Sequence, residues 1–217
     1  MNTFPARFAA LVLAPLFLLM PGCDDDDSES SGSGTLQPGR YTITFYYTPV
    51  ESFFTGPLQT ITGCTSIDCA SGLQSLGAFP SDFIAAVQMQ GSGRITSGPY
   101  AGNYLCGSFS DNFWIHPFPP DAYGSPARAF VTAAADDNVL APGTRFRLVA
   151  PLAEAGGPIP DSTANKLLSS TWTVSDHFQA GYGGSLHIDL YVGEQTTPSF
   201  TSSPYYLLLE NVAIEVF

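Results

Sequence analysis

The sequence predicts an all-β domain. Of its 217 residues, 21 are Gly and 18 are Pro, so about one residue in six turns or interrupts the backbone, which favours short strands joined by turns. The chain is also 44% hydrophobic and only 12% charged, so it can bury a core and lacks the composition of a disordered chain. One short helix alone is predicted, over residues 162–168, with Asp161 as its N-cap.

Six runs rich in β-branched and aromatic residues are predicted to be strands, and this number fits a small closed barrel. In the run 185–192 the even-numbered residues are apolar and face one side, whereas the odd-numbered residues, Asp189 among them, face the other. An Asp within an apolar strand needs either a partner or a chemical role; the alternative is an edge strand whose polar face meets water. The six runs are 41–47, 83–89, 129–134, 144–150, 185–192 and 206–216.

The first 22 residues have the pattern of a signal peptide. Arg7 precedes an apolar run at 8–20, which is shorter than the roughly 20 residues that span a bilayer. Gly22 directly precedes Cys23, and this arrangement resembles the lipobox of bacterial lipoproteins, in which the cysteine carries the lipid. We expect residues 1–22 to be removed and Cys23 to be lipidated; a secreted protein cleaved elsewhere is the alternative.

Residues 23–38 are predicted to form a flexible tether in front of a single domain at 39–217. Four consecutive Asp residues are followed by Ser and Gly, and such a like-charged, small polar stretch stays extended. The domain has a normal size for one β-barrel or sandwich. We expect it to lie in the bacterial cell envelope, anchored through lipid to the inner or the outer membrane and facing the periplasm.

The charge balance excludes nucleic acid as a partner. Seven Lys and Arg residues stand against 19 Asp and Glu residues, giving a formal net charge of -12. A chain this acidic has no basic stripe with which to neutralise phosphates.

Three cysteines follow the tether, and in an oxidising exported compartment two of them are expected to form a disulfide. Three pairings of Cys64, Cys69 and Cys106 are possible. We favour Cys64 with Cys69, because they flank a short loop whose closure requires little chain entropy. No Cys-x-x-Cys or His-Glu-x-x-His motif occurs, so no metal or other cofactor is expected.

Three acids, Asp136, Asp176 and Asp189, each stand beside a strand-like run or a Gly turn. Carboxylates that converge in a groove can act as general acid or base, because burial and like charge raise one pKa toward neutral pH. The alternative is that these are solvated surface residues or caps.

The order of several segments resembles the three-aspartate (3D) domain, which is shared with the membrane-bound lytic transglycosylase A family. The resemblance extends over about residues 41–193. It rests on these segments: ITFYYTPVE (43–51), VQMQGSGRITSGPYAGNY (87–104), AADDNVLAPGT (134–144), VSD (174–176) with a following Gly-Gly (183–184), and HIDLYVG (187–193).

This resemblance implies a double-psi β-barrel whose groove binds peptidoglycan glycan strands. It implies that Asp189 is the single acid/base for cleavage between N-acetylmuramic acid and N-acetylglucosamine, with a 1,6-anhydro product. Asp136 and Asp176 are implied to shape the site and to raise the pKa of the acid. The implied substrate contacts are Gln90, Gly91, Ser92, Gly93, Arg94 and Tyr47.

Two other functions remain open at this point. The same barrel could be a non-catalytic module that binds cell-wall glycan, and binding would then survive the loss of Asp189. A lipoprotein with a structural role would show no glycan affinity. An aspartic peptidase is disfavoured, because neither Asp-Thr-Gly nor Asp-Ser-Gly occurs in the chain.

Overall fold

The computed structural model describes residues 34–107, 112–152, 154, 157–178 and 182–217. The predicted signal peptide, the predicted lipidation site at Cys23 and the tether up to residue 33 lie outside these ranges. The strands are β1 (Thr35–Thr48), β2 (Leu58–Cys64), β3 (Gln74–Pro80), β4 (Ser92–Arg94), β5 (Tyr104–Cys106), β6 (Phe113–His116), β7 (Thr132–Ala135), β8 (Arg145–Val149), β9 (Trp172–Asp176), β10 (His187–Glu194) and β11 (Leu209–Val216). The helices are α1 (Ser81–Gln90) and α2 (Asp161–Ser169).

Six strands form a closed barrel in the order β1-β10-β7-β9-β8-β11. The prediction of a mostly β fold with a small closed barrel is therefore confirmed. Burial alternates along β8 and the first half of β10, because every second residue points into the barrel. In β10, Ile188 and Leu190 are fully buried, whereas His187 and Asp189 are only partly so. Phe146 and Trp172 also belong to the barrel core and are fully buried.

The barrel contains strand β9, which lies outside the six predicted runs, and lacks the predicted strand at 83–89. That segment is helix α1, so the strand prediction there is wrong. Its apolar residues Phe83, Ile84 and Val87 follow helical spacing and are buried on one face. Gly91, at a φ of 86°, ends the helix in a conformation that glycine adopts without strain.

The predicted helix at 162–168 is present as α2, which begins one residue earlier. Asp161 lies in its first turn, Pro160 is the N-cap, and no side chain caps the helix there. An acidic residue in the first turn still stabilises the helix through its dipole. Strand β1 likewise begins before Gly39, at Thr35, and pairs there with Val216 of β11.

A second sheet, in the order β3-β2-β6-β5-β4, packs against α1 and has its own core. This sheet is built from residues 58–116, where the sequence analysis predicted no strand other than 83–89. Cys64, the last residue of β2, forms a disulfide with Cys69, and the thiol of Cys106 is free and buried in β5. Burial in the apolar core raises the pKa of Cys106 to about 12, so this thiol stays protonated.

The end of β1 is fastened to the second sheet by a buried carboxylate. Glu51 accepts hydrogen bonds from the backbone N–H groups of Thr96 (2.6 Å) and Ser97 (3.0 Å). The Ser97 hydroxyl donates to the same carboxylate at 2.7 Å. Beside it, the N–H of Arg94 donates to the carbonyl oxygen of Pro49 at 2.7 Å. We call these contacts the Glu51 clamp; they fix the β4 edge of the second sheet relative to β1.

Replacing Gly93 by Ala is expected to lower the free energy of unfolding by about 1–3 kcal/mol. An added Cβ would lie 2.5 Å from Val87 Cγ2 and 2.7 Å from the Phe83 ring, so α1 would have to move away from β4. Urea denaturation measures the change. Ala78→Ser, an exposed substitution in β3 of the same sheet, serves as the control and should change stability by less than about 0.5 kcal/mol. An unchanged midpoint for Gly93→Ala would contradict this packing argument.

Within the described ranges, none of the helices is long and apolar enough to cross a membrane.

Candidate active site

Four neighbouring barrel strands place two acids on one side of the barrel. Thr44 of β1 pairs with Asp189 of β10, Asp189 with Ala134 of β7, and Ala134 with Asp176 of β9. Adjacent strands lie about 4.8 Å apart, so the two acidic positions are separated by one strand only. Because the residue between them is alanine, its small side chain leaves space for both carboxyl groups.

The two carboxyl groups open into a cavity of about 550 Å³ between the barrel and the second sheet. The barrel side is lined by Tyr46, Thr48, Ala134, Asp176, Asp189 and Tyr191, and the opposite side by Met89, Gln90, Gly91, Ser92 and Trp114. Loops contribute Pro119, Pro120, Asp121, Ala122, Ala127, His177, Phe178 and Tyr182. Aromatic side chains together with a few polar groups are the usual lining of a ligand site.

Asp189 is held in surroundings that favour its protonated form. Its Oδ1 atom is shut off from solvent and has no hydrogen-bond partner among the described residues. Burial raises the pKa of Asp189 to about 7, and the negative charge of Asp176 adds to the rise. The Thr44 hydroxyl and the backbone N–H of Leu190 act in the opposite direction. A carboxyl group with such a pKa can donate or accept a proton at neutral pH.

Both carboxylate oxygens of Asp176 accept a hydrogen bond, unlike Oδ1 of Asp189. The Tyr46 hydroxyl donates to its Oδ2 at 2.8 Å, and the backbone N–H of His177 donates to its Oδ1 at 3.0 Å. Burial nevertheless raises the pKa of Asp176 to about 6, and the charge of Asp121 contributes. Since burial raises the pKa of Tyr46 well above its ordinary value, its phenol stays protonated and remains a donor. The two acids therefore differ in how strongly they hold a proton.

Asp136 lies directly after β7 and is not among the residues that line the cavity. Its carbonyl oxygen accepts hydrogen bonds from the N–H groups of Val139 and Leu140. Its carboxylate lies against the backbone of Gly183, so closely that any side chain at that position would overlap it. A side chain at position 183 would therefore require the Asp136 carboxylate to move. The structure brings Asp176 and Asp189 into one cavity, with Asp136 beside it.

The predicted substrate contacts divide into two groups. Gln90, Gly91 and Ser92 line the cavity. Gly93 is buried against α1. Tyr47 lines a second cavity, of about 620 Å³, where its ring stacks on Phe200 with 3.9 Å between the centroids. The roles in substrate binding remain predictions for all of these residues.

Arg94 does not line the cavity; its side chain joins the second sheet to the end of β10. Its Nη1 donates to Glu194 Oε1 at 3.1 Å and to the Tyr104 hydroxyl at 3.0 Å. The Tyr104 hydroxyl in turn donates to Glu194 Oε1 at 2.5 Å. The Tyr104 hydroxyl and the negative charge of Glu194 raise the pKa of Arg94, so its guanidinium stays charged.

The sequence analysis missed several residues of the cavity wall. Trp114 lies in β6, which has only four residues, too few to show an alternating pattern. Asp121 lies in the proline-rich loop, where its Oδ1 accepts hydrogen bonds from the N–H groups of Tyr123 (3.0 Å) and Ser125 (2.8 Å). Tyr191 could have been found, because it lies two residues after Asp189 on the same face of β10.

Replacing Tyr46 by Phe is expected to raise the pKa of Asp176 above its present value of about 6, since the phenol O–H no longer stabilises the carboxylate. A hydrogen bond to a charged group corresponds to a rise of about one pH unit. Carbon-13 NMR of the carboxyl groups measures it. Tyr100→Phe, in a residue that packs on the second core, should leave Asp176 unchanged. A fall in the pKa of Asp176 in Tyr46→Phe would contradict the assignment of Tyr46 as its donor.

Comparison with solved structures identifies proteins of the same fold. E. coli MltA with bound chitohexaose superposes with a TM-score of 0.52 at 16% identity, over 82% of this chain and 71% of that one. A membrane-bound lytic murein transglycosylase from Agrobacterium tumefaciens gives a TM-score of 0.53 at 11% identity, over 82% of this chain and 73% of that one. This chain therefore has the fold of MltA-type lytic transglycosylases. By sequence it matches no family profile and no curated protein.

Proposed function

We propose that the protein is an exported peptidoglycan lytic transglycosylase with Asp189 as its acid/base. The observation that carries the proposal is a carboxyl group with a pKa of about 7 at the wall of an aromatic-lined cavity. The shared fold supports the same class of enzyme, because the solved structures with this fold include lytic transglycosylases, one of them with bound chitohexaose.

In the proposed reaction, protonated Asp189 gives its proton to the oxygen that joins N-acetylmuramic acid to N-acetylglucosamine. The bond between that oxygen and C1 of the muramic acid breaks, and the C6 hydroxyl oxygen of the same sugar attacks C1. The Asp189 carboxylate takes the hydroxyl proton, which restores the acid and leaves a 1,6-anhydro ring. Because the nucleophile belongs to the substrate, a second catalytic carboxylate is not needed, unlike in the usual two-carboxylate glycosidases.

The other residues of the site are proposed to prepare Asp189 and to hold the sugar. Asp176 keeps negative charge near Asp189 and so supports its raised pKa. Asp136 positions the 182–186 loop through its close packing on Gly183. Gln90 at the end of α1 and Ser92 in β4 offer hydrogen-bonding groups, and Trp114 offers apolar surface.

We also propose that the barrel is a double-psi β-barrel and that the protein lies in the cell envelope. Two parallel pairs, β1 with β10 and β7 with β9, within a closed six-stranded barrel support the double-psi arrangement. We propose that Cys23 carries a lipid that holds the domain in the envelope, where the glycan strands of peptidoglycan are its substrate.

Analysis of the released products tests the function. The protein is incubated with purified peptidoglycan, and the soluble muropeptides are identified by mass. Anhydro-muropeptides are expected, each lighter by one water than the hydrolysis product. Hydrolysed products would overturn the anhydro mechanism and make water the nucleophile. No product, with the protein still sedimenting with peptidoglycan, would overturn the enzyme and leave a glycan-binding module.

A further inference from the structure

A third carboxyl group lies at the wall of the cavity that holds Asp176 and Asp189. Asp121, in the loop between β6 and β7, lines this cavity and is only 8% exposed. The family resemblance implied Asp136 as the third acid of the site, but Asp136 does not line the cavity. The third acid that a ligand in the cavity would meet is therefore Asp121.

The loop holds Asp121 in place through its own backbone. The N–H of Asp121 donates to the carbonyl oxygen of Ser125 at 2.7 Å, and the N–H of Gly124 donates to the carbonyl oxygen of Asp121 at 3.0 Å. At the base of this turn, the N–H of Ala127 donates to the carbonyl oxygen of Pro119 at 2.8 Å. These bonds position Asp121 at the cavity wall before any ligand binds.

Only one oxygen of the Asp121 carboxylate is used by this turn. Both the N–H of Tyr123 and the N–H of Ser125 donate to Oδ1, and no described residue donates to Oδ2. An asparagine would supply the same acceptor to the turn without a charge that must be buried. The turn therefore accounts for Oδ1, whereas Oδ2 remains available for a further hydrogen bond.

The Asp121 carboxylate also lacks a cation among the described residues. No Lys or Arg is found among those that line the cavity, and neither of the ion pairs within the described ranges includes Asp121. A buried carboxylate without a cation is costly unless its oxygens accept hydrogen bonds. The group that Oδ2 still requires is a hydrogen-bond donor, and the cavity is the space from which a ligand can supply it.

We propose that Asp121 is a substrate-binding residue: its Oδ2 accepts a hydrogen bond from a hydroxyl or an acetamido N–H group of the glycan in the cavity. This inference deepens the proposed function and rests on it for the identity of the ligand. Sugars carry many uncharged donors, and a carboxylate that the backbone holds in place is a strong acceptor. An anionic group at the same point would be repelled by Asp121 and Asp176.

The test is the affinity for chitohexaose, a neutral oligomer of N-acetylglucosamine, measured by isothermal titration calorimetry on the full chain. Every protein in the series carries Asp189→Asn, so that no bound oligomer is cleaved. Asp121→Asn keeps an oxygen for the two N–H groups of the turn and places an NH2 group where Oδ2 was. Because NH2 cannot accept, the affinity should fall about 10-fold.

Two further variants separate binding from structure and from net charge. Glu210→Gln removes one negative charge from an exposed position of β11 and should change the affinity by less than about twofold. Asp121→Ser, whose hydroxyl can also accept within the turn, should lose at least as much affinity as Asp121→Asn. Urea denaturation of each protein reports on the turn, and the midpoint for Asp121→Asn should stay close to that of the parent protein.

A second readout checks that Asp121 lies close to the acids of the barrel. The negative charge of Asp121 contributes to the raised pKa of Asp176. The pKa of Asp176, followed by carbon-13 NMR, should therefore fall in Asp121→Asn and stay unchanged in Glu210→Gln. An unchanged pKa in Asp121→Asn would contradict the placement of Asp121 beside Asp176.

Three results would overturn the proposal: no binding of chitohexaose by the parent protein, full affinity in Asp121→Asn, or a loss of affinity only in variants whose urea midpoint falls as well. The last result would leave Asp121 as a turn residue.

Binding is measured without cleavage, so this proposal and the proposed function can fail separately. Release of anhydro-muropeptides by the unaltered protein, together with full affinity in Asp121→Asn, would retain the enzyme and reject the contact. A loss of affinity in Asp121→Asn, without anhydro products from the unaltered protein, would retain the contact and reject the enzyme.

Discussion

Asp189→Asn is expected to lower the rate of anhydro-muropeptide release by about 10²- to 10⁴-fold. Asparagine has nearly the same shape as aspartic acid, but its amide neither protonates the leaving oxygen nor takes a proton from the sugar hydroxyl. Because the loss lies in the chemical step, kcat should fall while sedimentation with peptidoglycan stays close to that of the unaltered protein. Mass analysis of products over time measures the rate.

Asp137→Asn is the matched control for this experiment. Asp137 is an exposed acid, with 70% of its side chain accessible, and its contact with His177 is a distant 4.0 Å pair. Its replacement removes one negative charge without touching the two acids of the cavity, so the rate should change by less than about twofold. Equal losses in both variants would point to net charge, and an active Asp189→Asn protein would reject Asp189 as the acid.

The same Asp189→Asn substitution is expected to stabilise the protein at neutral and alkaline pH. Burial raises the pKa of Asp189 from 3.8 to about 7 in the folded state, so the folded protein binds this proton more tightly than the unfolded chain. The stabilisation from this group is therefore complete below about pH 4 and is lost as the pH rises through 7. The shift corresponds to roughly 4 kcal/mol at most, less what solvent screening removes.

Urea denaturation of both proteins at about pH 4.5, 6 and 8 measures the effect. The difference in free energy of unfolding between Asp189→Asn and wild type should grow in favour of the variant as the pH rises. Burial also raises the pKa of Asp176 to about 6. Ionisation of Asp176 lowers the free energy of unfolding of both proteins equally, so it does not affect the difference between them. A difference that is constant with pH would show that Asp189 does not hold its proton more tightly in the folded state.

The acid thus lowers the stability of the fold that carries it. A group that must be protonated near neutral pH is kept from water, and the folded protein loses stability whenever the group ionises. The expected gain in stability and loss of activity in one variant are two consequences of the same burial.

The barrel could be predicted from the sequence because its strands carry a strong two-residue alternation. In β10 that alternation also indicated Asp189, a charged residue where the neighbours on the strand are apolar. Strand β9, which supplies Asp176 and has five residues, was missed. Asp176 and Asp189 become neighbours through the parallel and antiparallel pairing of their strands with β7, which no local pattern contains.

Helix α1 was predicted to be a strand because a short apolar run fits a buried helix as well as a strand. Pro80 and Gly91, which bound the run, were the signals that favoured a helix. The second sheet escaped prediction for a related reason: β4 and β5 have three residues each, so their pairing depends on tertiary packing. The family resemblance had indicated Gln90, Gly91 and Ser92 of the cavity wall opposite Asp189, whereas the strand pairing that places them there could not be foreseen.

The Glu51 clamp has a consequence for how a ligand enters. It joins the strand that carries Thr44 and Tyr46 to the strand that begins at Ser92, so both sides of the cavity are set before any ligand arrives. A preorganised cleft requires no closing step, and little affinity is lost to conformational selection. Association with a glycan chain should accordingly follow a single exponential whose rate rises linearly with ligand concentration.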